Sequence, residues 1–308
     1  MSARVVDVHA HVIVPGIGAE VAWEDGKQVV RFAGKEMRAA VREFVDLGRI
    51  LEEQDRAGVD MIVLCPWVTL LGREPERQNE ALAQLAGERV AVLGTVDPAR
   101  PETLAELMAD GRLAGIEIAA SVDGDYLGHE RFRDFWAAAE ETQALVFIHP
   151  TTRGFDMPVF EDYYLWNAVG NPVETTIAAA HMVMAGVLEA HPRLRVVLAH
   201  GGGAVLSLRG RLRHAHSFQP QARARLGEPP EESLRRFYYD TVTHDETLLR
   251  ALVDFAGADR VLLGSDYPFD MGLERPAEPV RALGLAAEDE AAILGGNALR
   301  LLGQEASS

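Results

Sequence analysis

Five side chains able to bind a metal or move a proton stand at the ends of apolar runs in this 308-residue chain. His9 and His11 close the run Val5-Val6-Asp7-Val8. A strand has period two, so both imidazoles leave on one side and can share one metal ion. His149 ends Leu145-Val-Phe-Ile, His200 ends Leu194-Arg-Val-Val-Leu-Ala, and Asp266 ends Val261-Leu-Leu-Gly-Ser. A lone His-x-His, or a lone terminal His, is more often an ordinary polar residue. Recurrence at one strand end after another is what points to a metal centre.

A catalytic metal takes three or four protein ligands and keeps one position open. His9, His11, His149 and Asp266 make such a set, with Asp266 also placed to relay a proton. His200 is then left beside the metal-bound water, where a general acid or base belongs. Gly201-Gly202-Gly203 after it permits close backbone approach or a tight strand-to-helix turn. The fourth run offers Glu117 and Ile118 but no lysine that could bridge a second metal. One metal per chain is therefore expected. His129, His181, His191, His214, His216 and His244 read as solvated or capping residues, and Cys65 as a small core residue rather than a nucleophile.

The elements that must position these groups follow a rhythm. Eight strand-like runs alternate with helical stretches, and most runs are apolar throughout, as strands covered on both faces should be. Eight such units in one chain predict an α/β fold, a (β/α)8 TIM-type barrel, in a single domain over 1–308. An open doubly wound sheet is the rival, but the Gly-rich phosphate loop it would carry after its first strand is missing. Residues 12–35 read as a small insertion, with a hairpin turning at Asp25-Gly26. Helices are expected over Glu36 to Ala57, Glu130 to Thr142 and Pro172 to Ala190, a long loop over 151–171, and His214 and His216 just after an Arg-rich helix.

The net charge of −17 argues against nucleic acid or an anionic membrane as partner. One cysteine excludes a disulfide framework, and neither a secretory signal pattern nor a membrane-length apolar run is present. A cytoplasmic protein is expected.

Four segments carry a family resemblance: Asp-Val-His-Ala-His at 7–11, Phe-Ile-His-Pro at 147–150, Ala-His-Gly-Gly-Gly at 199–203 and Gly-Ser-Asp-Tyr-Pro-Phe at 264–269. With Glu52 to Asp60, they make the chain resemble the amidohydrolase-related metal-dependent decarboxylases of the 2-amino-3-carboxymuconate-6-semialdehyde decarboxylase type. The resemblance implies a barrel with Zn2+ on His9, His11, His149 and Asp266, and His200 as acid/base. Mixed His/Asp shells also accept Mn2+. It further implies two arginines on substrate carboxylates: Arg38, and Arg211 reaching into the neighbouring subunit of a homodimer. A planar guanidinium fork suits a carboxylate. The loop 151–171 departs from the family type, and Phe155, Tyr164 and Trp166 are expected to line the pocket there. The activity implied is non-oxidative decarboxylation of a carboxylated aromatic or muconate-semialdehyde-type small molecule. The alternative is metal-dependent hydrolysis or hydration of a lactone or unsaturated acid.

Overall fold

The eight apolar runs pair side by side in chain order, all parallel. They are β1 (Val6–Val12), β2 (Met61–Pro66), β3 (Val90–Gly94), β4 (Gly115–Ala119), β5 (Leu145–His149), β6 (Arg195–Leu198), β7 (Tyr238–Asp240) and β8 (Val261–Leu262). The chain beyond β8 returns to β1: Val8 N–H donates to Leu263 O at 2.9 Å, Asp266 N–H to His9 O at 2.8 Å, and His11 N–H to Tyr267 O at 2.7 Å. The sheet thereby closes into the (β/α)8 barrel that the alternation predicts. This computed structural model describes residues 4–14, 17, 19–24, 27–32, 35–36, 46–151 and 157–304. No helix among them is long and apolar enough to cross a membrane.

A helix follows each strand: α1 (Leu47–Ala57), α2 (Pro75–Ala83), α3 (Pro101–Asp110), α4 (Arg133–Thr142), α5 (Asn171–Met184), α6 (Val205–Phe218), α7 (Glu246–Ala256) and α8 (Ala277–Ala282). Alternate strand residues divide between two cores. Met61, Val63, Cys65, Leu93, Leu145, Phe147, Val197 and Leu262 fill the lumen. Ile116, Ile118, Val146, Ile148, Val196 and Leu198 face outward beneath the helices, with Trp136 and Phe135 of α4. Both faces of every strand are thus covered, which is why the runs show so little polar alternation.

Several boundaries differ from those expected. The stretch from Glu36 to Ala57 is not one helix. Lys35–Glu36 pairs as a short strand with Lys27–Phe32, and α1 begins only at Leu47, where Asp46 accepts from Arg49 N–H at 3.2 Å. A capped end of this kind fixes where a helix starts, whatever the apolar spacing before it. The stretch from Pro172 to Ala190 breaks at Gly186, whose φ of +75° is left-handed. His214 and His216 lie within α6 rather than after it. Residues 158–170 are not open loop but short helical turns. In the segment after β1, Ala19–Glu24 and Lys27–Phe32 pair antiparallel with Val21 opposite Val30. The Asp25-Gly26 dipeptide lies outside the described residues.

Candidate metal centre

β1 aims its two histidines by an irregularity. Asp7 pairs with Ile62 and Ala10 with Leu64, so three steps on β1 match two on β2. This extra residue shifts the phase of the strand. Val6 and Val8 point into the lumen below it, and His9 and His11 point in above it. Bulges beside active sites re-aim side chains in this way. The bulge is braced by Asp7, which accepts from Ser265 Oγ at 2.5 Å and from the amides of Ser265 and His9 at 3.0 Å each. Burial pushes the Asp7 carboxyl up to about 6 despite these bonds.

His149 ends β5, and Asp266 follows β8 with a left-handed φ of +61°. One ligand atom each from His9, His11, His149 and Asp266 falls within 4.8 Å of all the others, and all four residues are buried. His9 Nε2 lies 3.1 Å from His11 Nε2 and 3.1 Å from Asp266 Oδ1; His11 Nε2 lies 3.4 Å from the same oxygen. Tetrahedral zinc with bonds of ~2.0–2.1 Å would set such pairs about 3.3 Å apart.

The outer ring nitrogens show the same orientation. His9 Nδ1 donates to Asp240 Oδ2 at 2.6 Å, His149 Nδ1 to Pro150 O at 2.7 Å, and His11 Nδ1 to Pro66 O at a long 3.4 Å. Each partner accepts, so Nδ1 carries the proton and Nε2 presents a lone pair inward. His149 Nε2 and Asp266 Oδ1 are buried without a hydrogen bond. Polar atoms left so inside a core call for a ligand, and the set fits a divalent cation.

The electrostatics agree. Burial, then the neighbouring imidazoles, holds His149 well below the usual histidine range, so it is neutral as a ligand must be. Burial likewise lowers His11. Burial opposes charge on His9 too, but Asp266 and Asp240 prevail and raise it to about 10. In the metal-free protein a proton therefore sits among the ligands, and a cation must displace it. Asp266 is held well below the carboxylate range by His9, His11 and His200, against the effect of burial.

His200, also at a left-handed φ of +56°, places Nε2 3.5 Å from Asp266 Oδ2, whereas His9 and His11 face Oδ1. Its Nδ1 is buried and unbonded. The glycines after it bear the tight turn: a Cβ on Gly203 would come within 2.0 Å of Pro172 O.

Asp240, at the end of β7, is a residue to which the sequence pattern assigned no role. Beyond His9 it accepts from the amides of His200 at 2.9 Å and Gly201 at 2.7 Å. One buried carboxylate thus orients a ligand and the acid/base together. Its position, the last residue of an apolar run like His149, was the available signal. Gly264 was likewise unmarked; a Cβ there would meet His9 Cβ at 2.9 Å and Asp240 Cβ at 3.0 Å.

The substrate-side residues fare differently. Trp166 is half-buried and packs edge-on against Tyr164, ring centroids 4.9 Å apart. Tyr164 donates to Asp270 Oδ1 at 2.9 Å, linking the segment after β5 to the one after β8. Arg211 is exposed on α6 and makes no hydrogen bond or ion pair among the described residues. Arg38 and Phe155 lie outside the described residues.

A closed parallel barrel with three imidazoles and one carboxylate converging at its mouth defines a metal-binding barrel protein. The amidohydrolase family model matches residues 6–304, and the chain belongs to that family. It is 29% identical to 2-amino-3-carboxymuconate-6-semialdehyde decarboxylase of Dictyostelium discoideum, over 97% of this chain and 91% of that protein. Its fold matches 5-carboxyvanillate decarboxylase of Sphingomonas paucimobilis with a TM-score of 0.81 and 24% identity, covering 98% of this chain and 99% of the other. It also matches 5-carboxyvanillate decarboxylase of Novosphingobium aromaticivorans, complexed with manganese, with a TM-score of 0.80 and 19% identity, covering 98% and 96%.

Proposed function

We infer that this protein is a metal-dependent, non-oxidative decarboxylase, a carboxy-lyase acting on a carboxylated aromatic or muconate-semialdehyde-type small molecule. The observation that carries this is the placement of His200 Nε2 beside Asp266, at the edge of a preformed three-histidine, one-aspartate set. Its decarboxylase relatives supply the reaction type.

Bound there by His9, His11, His149 and Asp266, a divalent cation supplies positive charge against the negative charge that develops as carbon dioxide leaves. The electron pair left on carbon passes into the conjugated carbonyl or ring of the substrate. His200 Nε2 delivers the proton that replaces the lost carboxyl and regains one from solvent water, with Asp266 Oδ2, 3.5 Å away, as the relay. Zn2+ is our assignment, with Mn2+ the competitor, since N/O shells take both. Trp166 and Tyr164 form one wall of the substrate pocket. Arg38 and Arg211 hold the substrate's acidic groups and orient the scissile bond. Arg211 does so from the partner subunit of a homodimer, which explains an unpaired arginine beside the exposed apolar residues Leu208 and Phe218 on α6. A single buried Cys65 suits the cytoplasm.

The test is carbon dioxide release by zinc- and manganese-loaded protein from a panel of hydroxybenzoates and muconate semialdehydes, before and after chelation. Turnover that chelation abolishes is expected. Hydrolysis of lactones with no carbon dioxide from any acid would overturn the assignment.

A further inference from the structure

Glu117 lies at the centre of β4, between the outward-facing Ile116 and Ile118, and is fully buried. Neither carboxyl oxygen has a hydrogen-bond partner. Leaving a carboxyl in such a place costs several kcal/mol, and an apolar side chain would fill it without that penalty. Its Oε1 lies 3.9 Å from His11 Nδ1. That is about 1 Å beyond a normal N–H···O bond, a gap closed by a small side-chain shift or one water.

The three imidazoles of the site are unequally held. His9 has the Asp240 carboxylate at 2.6 Å and His149 the Pro150 carbonyl at 2.7 Å, whereas His11 has only the Pro66 carbonyl at 3.4 Å. The weakly held ring is the one that faces the unpartnered carboxyl. We propose that Glu117 is the positioning residue of His11: its carboxyl accepts the Nδ1–H and keeps Nε2 aimed at the cation. β4 would then do for His11 what β7 does for His9, from the other side of the barrel. The inference rests on the four-residue metal site.

The test uses metal-stripped full-length protein and zinc, with affinity read by chelator competition and apo stability by thermal melting. Glu117→Gln keeps an acceptor oxygen, and Glu117→Leu removes it. The expectation is that E117Q stays within about threefold of wild type, that E117L weakens zinc about 10–100-fold, and that the apo melting temperature of E117L is no lower. An E117L protein with wild-type zinc affinity overturns the proposal. So does one that loses affinity and apo stability together, since Glu117 would then be a packing residue. If E117L does not fold, nitrogen-15 spectra of the histidine rings decide: a shifted His11 Nδ1 resonance in zinc-loaded E117Q supports the role, and an unshifted one overturns it. Wild-type protein that binds neither zinc nor manganese removes the metal site itself, and this inference with it.

Discussion

At the scale of single residues, the site separates binding the cation from moving the proton. His200 serves the proton: its Nε2 is 3.5 Å from Asp266, and it is not among the four convergent ligands. His200→Ala is expected to retain metal at wild-type stoichiometry and to lower turnover by about 10²–10⁴-fold, the usual worth of a positioned acid or base. Metal analysis beside carbon dioxide release checks it, and unchanged turnover would remove His200 from the mechanism. Asp240 serves cation and proton alike, since it holds the His9 ring and the His200 backbone. Asp240→Asn offers His9 Nδ1 a donor or a weaker acceptor. Metal affinity should fall about 10–100-fold. Saturating metal should restore occupancy but not full kcat, because the amides of His200 and Gly201 lose their charged acceptor. Full recovery at high metal would confine Asp240 to His9. The ligands themselves were legible in the sequence because each ends an apolar run, where a polar group needs a reason to be. Asp240 ends one too, but its run, Phe237-Tyr-Tyr, is short and carries two phenol hydroxyls, so an acid after it stands out less. Glu117 stands out as an acid inside an apolar run, but with no lysine nearby its spacing suggests no partner. What it faces depends on which β1 residues point inward, and the bulge at residues 7–10 that decides this leaves no mark on the local pattern.

Elements are where the sequence was most and least informative. Strand identity was plain, since eight double-covered strands must be apolar on both faces. Helix ends were less so, because apolar spacing does not register a cap such as Asp46 or a left-handed break such as Gly186. Close approach between strands was invisible. β1, β7 and the chain after β8 meet at Gly264, where a Cβ would sit 2.9 Å from His9 Cβ. Gly264→Ala is expected to destabilise the protein by about 1–3 kcal/mol through overpacking, and to weaken metal binding by displacing His9. Melting and metal titration together check this; a variant with normal affinity would show that β1 can yield. The excursion between α6 and β7 is tied down by charge. Glu228 pairs through both oxygens with Arg236, just before β7, the Oε2–Nη2 contact being 2.7 Å, and accepts from Ser233 Oγ at 2.5 Å. The guanidinium holds its carboxyl below the usual range. A depressed folded-state pKa adds stability above the unfolded value, and this is lost as pH falls through the folded one. Glu228→Gln should therefore cost about 1 kcal/mol at neutral pH. The difference from wild type should vanish as acid protonates Glu228. A gap that persists in acid would mean packing rather than charge.

At the scale of the whole molecule, the question is whether one chain carries a complete site. The ligands and His200 all come from a single barrel, so a monomer can bind metal. Substrate carboxylates need positive charge, and the chain as a whole carries a net charge of −17. Arg211 makes no bond among the described residues of its own subunit and stands on α6 with Leu208 and Phe218 exposed around it. If a two-fold axis packs α6 against a second copy, each Arg211 serves the other subunit's site. Two variants that are both silent at substrate far below the raised KM of Arg211→Ala then become informative together. In a dimer of one His200→Ala and one Arg211→Ala subunit, one site carries both defects. The other has its own His200 and receives Arg211 from the partner, so it is intact. Refolding or exchanging the two variants in equal amounts should restore about a quarter of wild-type turnover, with half the dimers mixed and one good site in each. Arg211→Ala alone should mainly raise KM and leave metal content unchanged. If mixed dimers form, as a size tag on one variant would reveal, and carbon dioxide release stays at the level of the separate variants, Arg211 does not act across the interface. If wild-type protein runs as a monomer with full turnover, the site needs no second chain.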